Sequence, residues 1–380
     1  MSQPVGNSIA EHFSGIDDPR IERCKEHDLM NILMIAVCGV IGGADSWVDI
    51  EMFGNAKLAW FESFLSLPNG IPSHDTFGRV FGRLNAEQFQ HCFLNWVQAA
   101  NEVTKGQVVA MDGQQMRGTQ EKALGKQAIN MVSAWACENH MVLGQRPVKE
   151  AGSEITTLPE LLKLLELSGC IVTVDALGCQ VEVAQAIRDR QADYVLAVKG
   201  NQGTLYEDIE DLFKGAEEVA YREVAYDHAR TVNKGHGRIE IRQCWAIDDP
   251  SFLDYIRRRE VWPALHSIVK VVCERRTATE TTIKTRYYIT SLPPQATRLL
   301  DAVRSHWQIE NGLHWVLDIA FNQDHSRIRK DNAPANFAVL HHIALNLLKQ
   351  ERSLKVGVKA KRLRAGWDER YLLKVLAGPS

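Results

Sequence analysis

The sequence predicts an α/β protein. A mixed sheet flanked by helices follows an all-helical N-terminal region and is interrupted by a β-rich insertion. Three observations carry this. Apolar residues recur at helical spacing over the first hundred positions. Short apolar runs ending near 111, 174 and 198 then alternate with amphipathic stretches. Finally, β-prone pieces cluster between 203 and 291 before helical spacing returns.

The elements follow in chain order. Leu29, Ile32, Leu33, Ala36 and Val40 form one face of a buried helix, and the acidic and aromatic stretch from Trp47 to Phe64 predicts more helices. Gly70-Ile71-Pro72-Ser73 reads as a turn running into an N-cap, followed by a helix whose Phe77, Val80, Phe81 and Leu84 share a face. That pair fits either a helix-turn-helix reader with Arg79 and Arg83 toward phosphates or, the preferred reading, ordinary helical packing. Residues 107–111 form a strand ending at Asp112-Gly113, and 128–136 with 141–148 complete a three-strand meander. A helix over 155–167 leads to a strand, 170–174, that stops at Asp175. Next come a helix with Val181, Ala184 and Ile187 inward and a strand, 194–198, ending in Lys199-Gly200-Asn201-Gln202. In the insertion the β-prone pieces are 238–245, 267–273 and 286–290. Helical spacing runs over 297–321 and 332–349. The expected organisation is a helical region over 1–100 and a mixed-sheet α/β domain split between 101–202 and 292–348. The β-rich subdomain occupies 203–291 and a basic tail 349–380.

Bulk properties narrow the class. With 380 residues, 45% hydrophobic and 24% charged, the chain can bury a large core, which excludes disorder. The polar opening does not resemble a signal peptide, and the apolar run Leu29–Ile41 falls short of the roughly 20 residues a bilayer requires. Eight scattered cysteines without a C-x-x-C pair exclude a zinc ribbon or disulfide framework and fit a cytoplasmic protein. A net charge of −3 means that any DNA contact must come from local patches. Two such patches are the basic stretch from Lys349 to Lys374 and the trio Arg327, Arg329 and Lys330.

Asp112 and Asp175 both follow apolar strands, at the carboxyl ends where open sheets place ligands. An aspartate after a strand is more often a turn or cap residue; a pair at successive strand ends is less easily dismissed. Carboxylates held on rigid strand ends suit hard divalent ions such as Mg²⁺ or Mn²⁺, which work on phosphodiesters as a pair about 3.5–4 Å apart. Further on, His306, Glu310, His314 and Asp318 fall four apart and form a polar helix column, flanked by Trp307, Asn311 and Trp315. This is either a solvated face or a helix lying across a site. A zinc site on His306, Glu310 and His314 is the lesser alternative, because its spacing differs from H-E-x-x-H.

Several strings occur in order: Met111-Asp112-Gly113-x-x-Met116-Arg117-Gly118, Val174-Asp175-Ala176-x-Gly178-Cys179-Gln180 and Asp193-Tyr194-x-Leu196-x-Val198-Lys199-Gly200-Asn201-Gln202. They are followed by His236-Gly237-Arg238-x-Glu240 and His306-Trp307-x-Ile309-Glu310-Asn311-x-Leu313-His314-Trp315. Together they resemble the DDE-type insertion-sequence transposases that include the H-repeat-associated proteins, over nearly the whole chain.

The resemblance implies an RNase H-like catalytic domain, with Asp112, Asp175 and Glu310 as catalytic and metal-binding residues for two Mg²⁺ or Mn²⁺ ions. It implies DNA contacts from Arg117, Lys199, Arg238, Arg242, His306, Trp307 and Asn311. The implied partners are the terminal inverted repeats of the chain's own element and target DNA, handled by a homo-oligomer with no membrane involvement. There are departures. Relatives often carry Tyr-x2-Arg-x3-Glu-x6-Lys, where this chain has Val303, His306, Glu310 and Leu317. Gln114 replaces a usual lysine and Gln323 a common acidic residue. A catalytically inactive DNA-binding relic is therefore the alternative to an active transposase, and a protein-binding or structural-metal domain is a third reading.

Overall fold

In the computed structural model, residues 5–100, 105–120, 127–148, 153–222, 224–235 and 237–378 are described. Nine strands pair into one sheet in the order β3-β2-β1-β4-β5-β9-β8-β7-β6. They are β1 (Val108–Met116), β2 (Ile129–Ala136), β3 (Met141–Pro147), β4 (Ile171–Val174), β5 (Asp193–Val198), β6 (Tyr226–Gly235), β7 (Arg238–Ile247), β8 (Ser267–Arg276) and β9 (Thr281–Thr290). The centre is parallel, β1 to β4 to β5, while β1-β2-β3 and β5-β9-β8-β7-β6 pair antiparallel. Residues 108–111 and all of β4 are buried, as expected of parallel strands covered on both faces.

Asp112 does not end its strand. β1 continues to Met116 because β2 supplies antiparallel partners that far, down to Ile129 opposite Met116. The parallel partner β4 stops earlier, at Val174 opposite Met111. An apolar run records burial, not pairing, so the polar second half of β1 was invisible to it.

The segment from 203 to 291 contributes no separate sheet; β9 pairs with β5 and its strands prolong the common one. It opens with an unforeseen helix, Gly203–Glu218, whose Leu205, Ile209, Phe213 and Ala216 are buried. Edge strand β6 was also missed, since it is polar and largely exposed.

The helix Ala333–Gln350 is buried over most of its length and packs against Leu29–Ile41, His74–Arg83, Ala86–Ala100 and β3. The N-terminal helices therefore share one core with the sheet. Two buried asparagines fix this junction. Asn336 Nδ2 donates to the carbonyls of Phe81 (2.7 Å) and Leu84 (3.1 Å), and Asn346 exchanges two bonds with the Val142 backbone. Ser73 caps the helix His74–Arg83 by accepting from the Thr76 amide, as its sequence requires, and Arg79 and Arg83 are exposed.

The basic C-terminal segment is ordered. It forms two helices, Val358–Trp367 and Glu369–Ala377, and buries Lys361 and Arg362. The Arg362 guanidinium donates to the carbonyls of Val40 (3.0 Å), Ala44 (3.0 Å) and Ala320 and to Asp45 (2.9 Å). Carbonyls near helix C-termini lack intrahelical partners and attract cations, so these basic side chains turn inward. Among the described residues, no helix is long and apolar enough to cross a membrane.

Candidate active site

β4 ends one residue before Asp175, and its last pair is Met111–Val174, so Asp112 and Asp175 occupy neighbouring positions just beyond the parallel ladder. Asp112 follows the alternation of β1 and faces the helix Ala296–Ile309, which crosses β1 and β4. Asp175 begins a tight turn: its Oδ1 accepts from the amides of Leu177 (3.0 Å) and Gly178 (3.3 Å). Turn-forming and site-lining roles thus coexist in this residue. Asn201 and Gln202 brace the turn, donating to the carbonyls of Ala176 (2.7 Å) and Cys179 (2.8 Å).

After Ile309 the helix opens into one π-helical turn, Glu310–His314, and resumes as Trp315–Ala320. In a regular α-helix residues four apart drift by about 40° around the axis. The wider turn reduces that drift and keeps the polar column over the strands. Such turns concentrate at functional sites. Glu310 and His314 both reach Asp112: His314 Nδ1 lies 3.6 Å from Asp112 Oδ2 and 3.6 Å from Glu310 Oε2. The same column sends His306 Nδ1 to Thr173 Oγ1 at 3.0 Å and brings Asp318 to Gln114 Nε2 at 3.3 Å.

Asp112, Asp175 and Glu310 line one cavity of about 160 Å³ together with Lys199, Arg286, Tyr288, His306 and Trp307. Burial, then Glu310 and Asp175, push the Asp112 carboxyl up to about 7 against the pull of His314. The His314 imidazole holds Glu310 below the usual carboxylate range. Burial lowers His306, whose Nδ1 lies 3.0 Å from Thr173 Oγ1 on β4. A further acid, Glu154, leans over Gly113, where a Cβ would sit 2.4 Å from its carboxyl carbon; burial and then Asp175 raise it.

The facing ligand atoms of Asp112, Glu310 and His314 lie within 4.8 Å of one another, a donor set that suits a divalent cation. Among the described residues, the trio His306, Glu310 and His314 is not gathered, because His306 is tied to Thr173 and Asp112 takes its place.

Other expected residues are distributed unevenly. Lys199 and Trp307 sit at the cavity, Trp307 half exposed beneath the Arg286 guanidinium at 5.0 Å. Asn311 donates back to the Trp307 carbonyl, and Arg117 faces Asp324. Arg238 and Arg242 lie on β7, five strand positions from β1 and so about 24 Å away, and both pair with Glu240. His236 lies outside the described residues. Sequence reasoning missed Arg286 and Glu154, which carry no motif and are brought in by β9 and by the helix Glu154–Leu162.

A parallel-strand crevice lined by carboxylates and rimmed by cations defines a metal-competent class of site for anionic substrates. Residues 104–347 match the family described as "Transposase DDE domain", and residues 10–97 match the region associated with it. The chain belongs to this DDE transposase family, and divalent-metal use and DNA binding come with that membership. It is 39% identical over 377 residues to "Putative transposase YncI" of Escherichia coli O157:H7, covering 98% of this chain and 95% of that one. "H repeat-associated putative transposase YhhI" of E. coli K12 is 36% identical, with 97% and 98% covered. A solved piggyBac transposase synaptic complex with hairpin DNA superposes with a TM-score of 0.45 at 11% identity, over 99% of this chain and 79% of that chain, too loosely to decide anything.

Proposed function

We propose that this transposase cleaves element-end DNA and joins the freed 3′-hydroxyl to target DNA at the cavity bounded by Asp112, Asp175 and Glu310. One observation carries the reading: Asp112 and Asp175 stand side by side where β4 stops, and the π-helical turn carries Glu310 to the same cavity. Two Mg²⁺ or Mn²⁺ ions, when bound, supply Lewis-acid stabilisation and lower the pKa of the attacking hydroxyl or water.

The chain's own residues do the rest. Asp175 gives one oxygen to its turn and keeps the other for the ions. Lys199 and Arg286 neutralise the scissile phosphate at the rim, and Trp307 stacks beside the DNA under Arg286. In this reading β1, β4 and β5 form the centre of an RNase H-like domain, and the strands from β6 to β9 are its insertion. Terminal inverted repeats and target DNA are its partners. Joining two ends requires a homo-oligomer on the DNA, and the reaction belongs in the cytoplasm. The relic alternative rests on Gln114 and on Leu317, which is buried and offers no cation, yet none of the three carboxylates is missing.

The test is nicking of DNA carrying the element's terminal repeats. Asn can accept the same two amide bonds, so Asp175→Asn leaves the turn intact. Cleavage with Mg²⁺ falls at least 100-fold, whereas DNA affinity changes less than threefold. Cleavage at the native rate contradicts the proposal.

A further inference from the structure

We infer that His314 is a nitrogen ligand of the divalent ion held by Asp112 and Glu310, so that the site is mixed oxygen–nitrogen and favours Mn²⁺ over Mg²⁺. The inference rests on the active-site reading above and adds to it a residue outside the carboxylate triad.

His314 closes the π-helical turn and is 5% exposed, so its ring is fixed by packing. Nδ1 is 3.6 Å from one oxygen of each carboxylate. Those separations are too long for hydrogen bonds. Two bonds of about 2.0–2.3 Å to one ion, however, hold their donor atoms about 3–4 Å apart.

The ring is also short of a partner. Among the described residues its Nε2 is buried without a hydrogen-bond partner. A buried imidazole nitrogen with no hydrogen bond destabilises the fold relative to a packed apolar side chain. Its place is explained by what Nδ1 faces. The neutral tautomer with the proton on Nε2 presents the Nδ1 lone pair to the carboxylates, as metal ligation requires. Imidazole nitrogen raises affinity for Mn²⁺ more than for Mg²⁺, which prefers oxygen and its own waters.

The competing role is a counter-ion that steadies Asp112 and Glu310 without touching metal. Pulsed electron paramagnetic resonance of the full chain with Mn²⁺ alone separates the two. The expected result is a nitrogen modulation that changes when histidine is ¹⁵N-labelled. It disappears in His314→Gln, whose Mn²⁺ affinity falls about tenfold or more while Mg²⁺ affinity changes less than threefold. The wild-type spectrum needs no variant, so a folding defect in His314→Gln leaves the test intact. Mn²⁺ bound in an Asp112-dependent way without nitrogen coupling overturns this inference alone. Mn²⁺ binding that ignores Asp112→Asn overturns the active-site reading, and this inference with it.

Discussion

Arg362→Ala removes the group that ties the helix Val358–Trp367 to the end of Leu29–Ile41 and to the helix Trp315–Ala320 that follows the Glu310 turn. The guanidinium is 3% exposed and serves three backbone carbonyls and Asp45, and it lies 4.2 Å from the Phe321 ring centroid. Each hydrogen bond to a charged group contributes about 1.5–3 kcal/mol, but water can re-enter a truncated site and the bonds are not additive. Breaking a buried, paired charge network costs about 3–5 kcal/mol. Unfolding entropy of about 2.1 cal/mol/K per residue gives about 0.8 kcal/mol/K for a chain of this size, so about 4 kcal/mol lowers Tm by about 5 °C. Arg362→Lys recovers little of this, because one ammonium cannot reach carbonyls lying in several directions. Thermal melts followed by circular dichroism measure the shift. A change below about 1 °C in Arg362→Ala would refute the argument that this guanidinium joins the N-terminal helices, the site helix and the C-terminal helices.

Further predictions concern the site itself. Gly118→Ala places a Cβ 2.3 Å from the Ser326 carbonyl and 2.7 Å from that of Asp324, a backbone clash that should cost about 2 kcal/mol or more in urea unfolding; a neutral outcome contradicts this packing. Because burial and neighbouring carboxylates push Asp112 up to about 7, protons compete with metal there. Mn²⁺ affinity measured by calorimetry should fall about fivefold from pH 7 to pH 6, and a flat profile over that range speaks against the assignment. The sign for stability is opposite: a carboxyl whose folded pKa is raised stabilises the metal-free fold at low pH and loses that contribution as pH rises through about 7. Asp112→Asn should accordingly leave the metal-free Tm at pH 8 unchanged or higher, while abolishing the Tm increase on adding Mn²⁺; a large fall in the metal-free Tm would point to a structural role.

What the sequence made legible follows from which residues leave local traces. Asp112 and Asp175 stand out in the sequence because buried parallel strands are written as apolar runs, and each run ends at its aspartate. Glu310 had no such trace; it came from the order of the motifs and from a polar column at four-residue spacing. The π-helical turn that aims that column left no signal in composition. Arg286 and Glu154 approach from β9 and from a helix over the sheet, so only tertiary pairing brings them near. Edge strand β6 lacks apolar alternation because its outer side faces water. The basic C-terminal stretch read as a local patch for DNA contact, yet carbonyls at helix ends draw two of its members, Lys361 and Arg362, inside.

Anomalous diffraction from crystals of the full chain soaked in Mn²⁺ tests the active-site assignment most directly. Anomalous peaks are expected within ligand distance of Asp112, Asp175 and Glu310, lost together in Asp112→Asn crystals. Peaks elsewhere on the molecule, or none in this cavity at saturating Mn²⁺, would contradict that assignment.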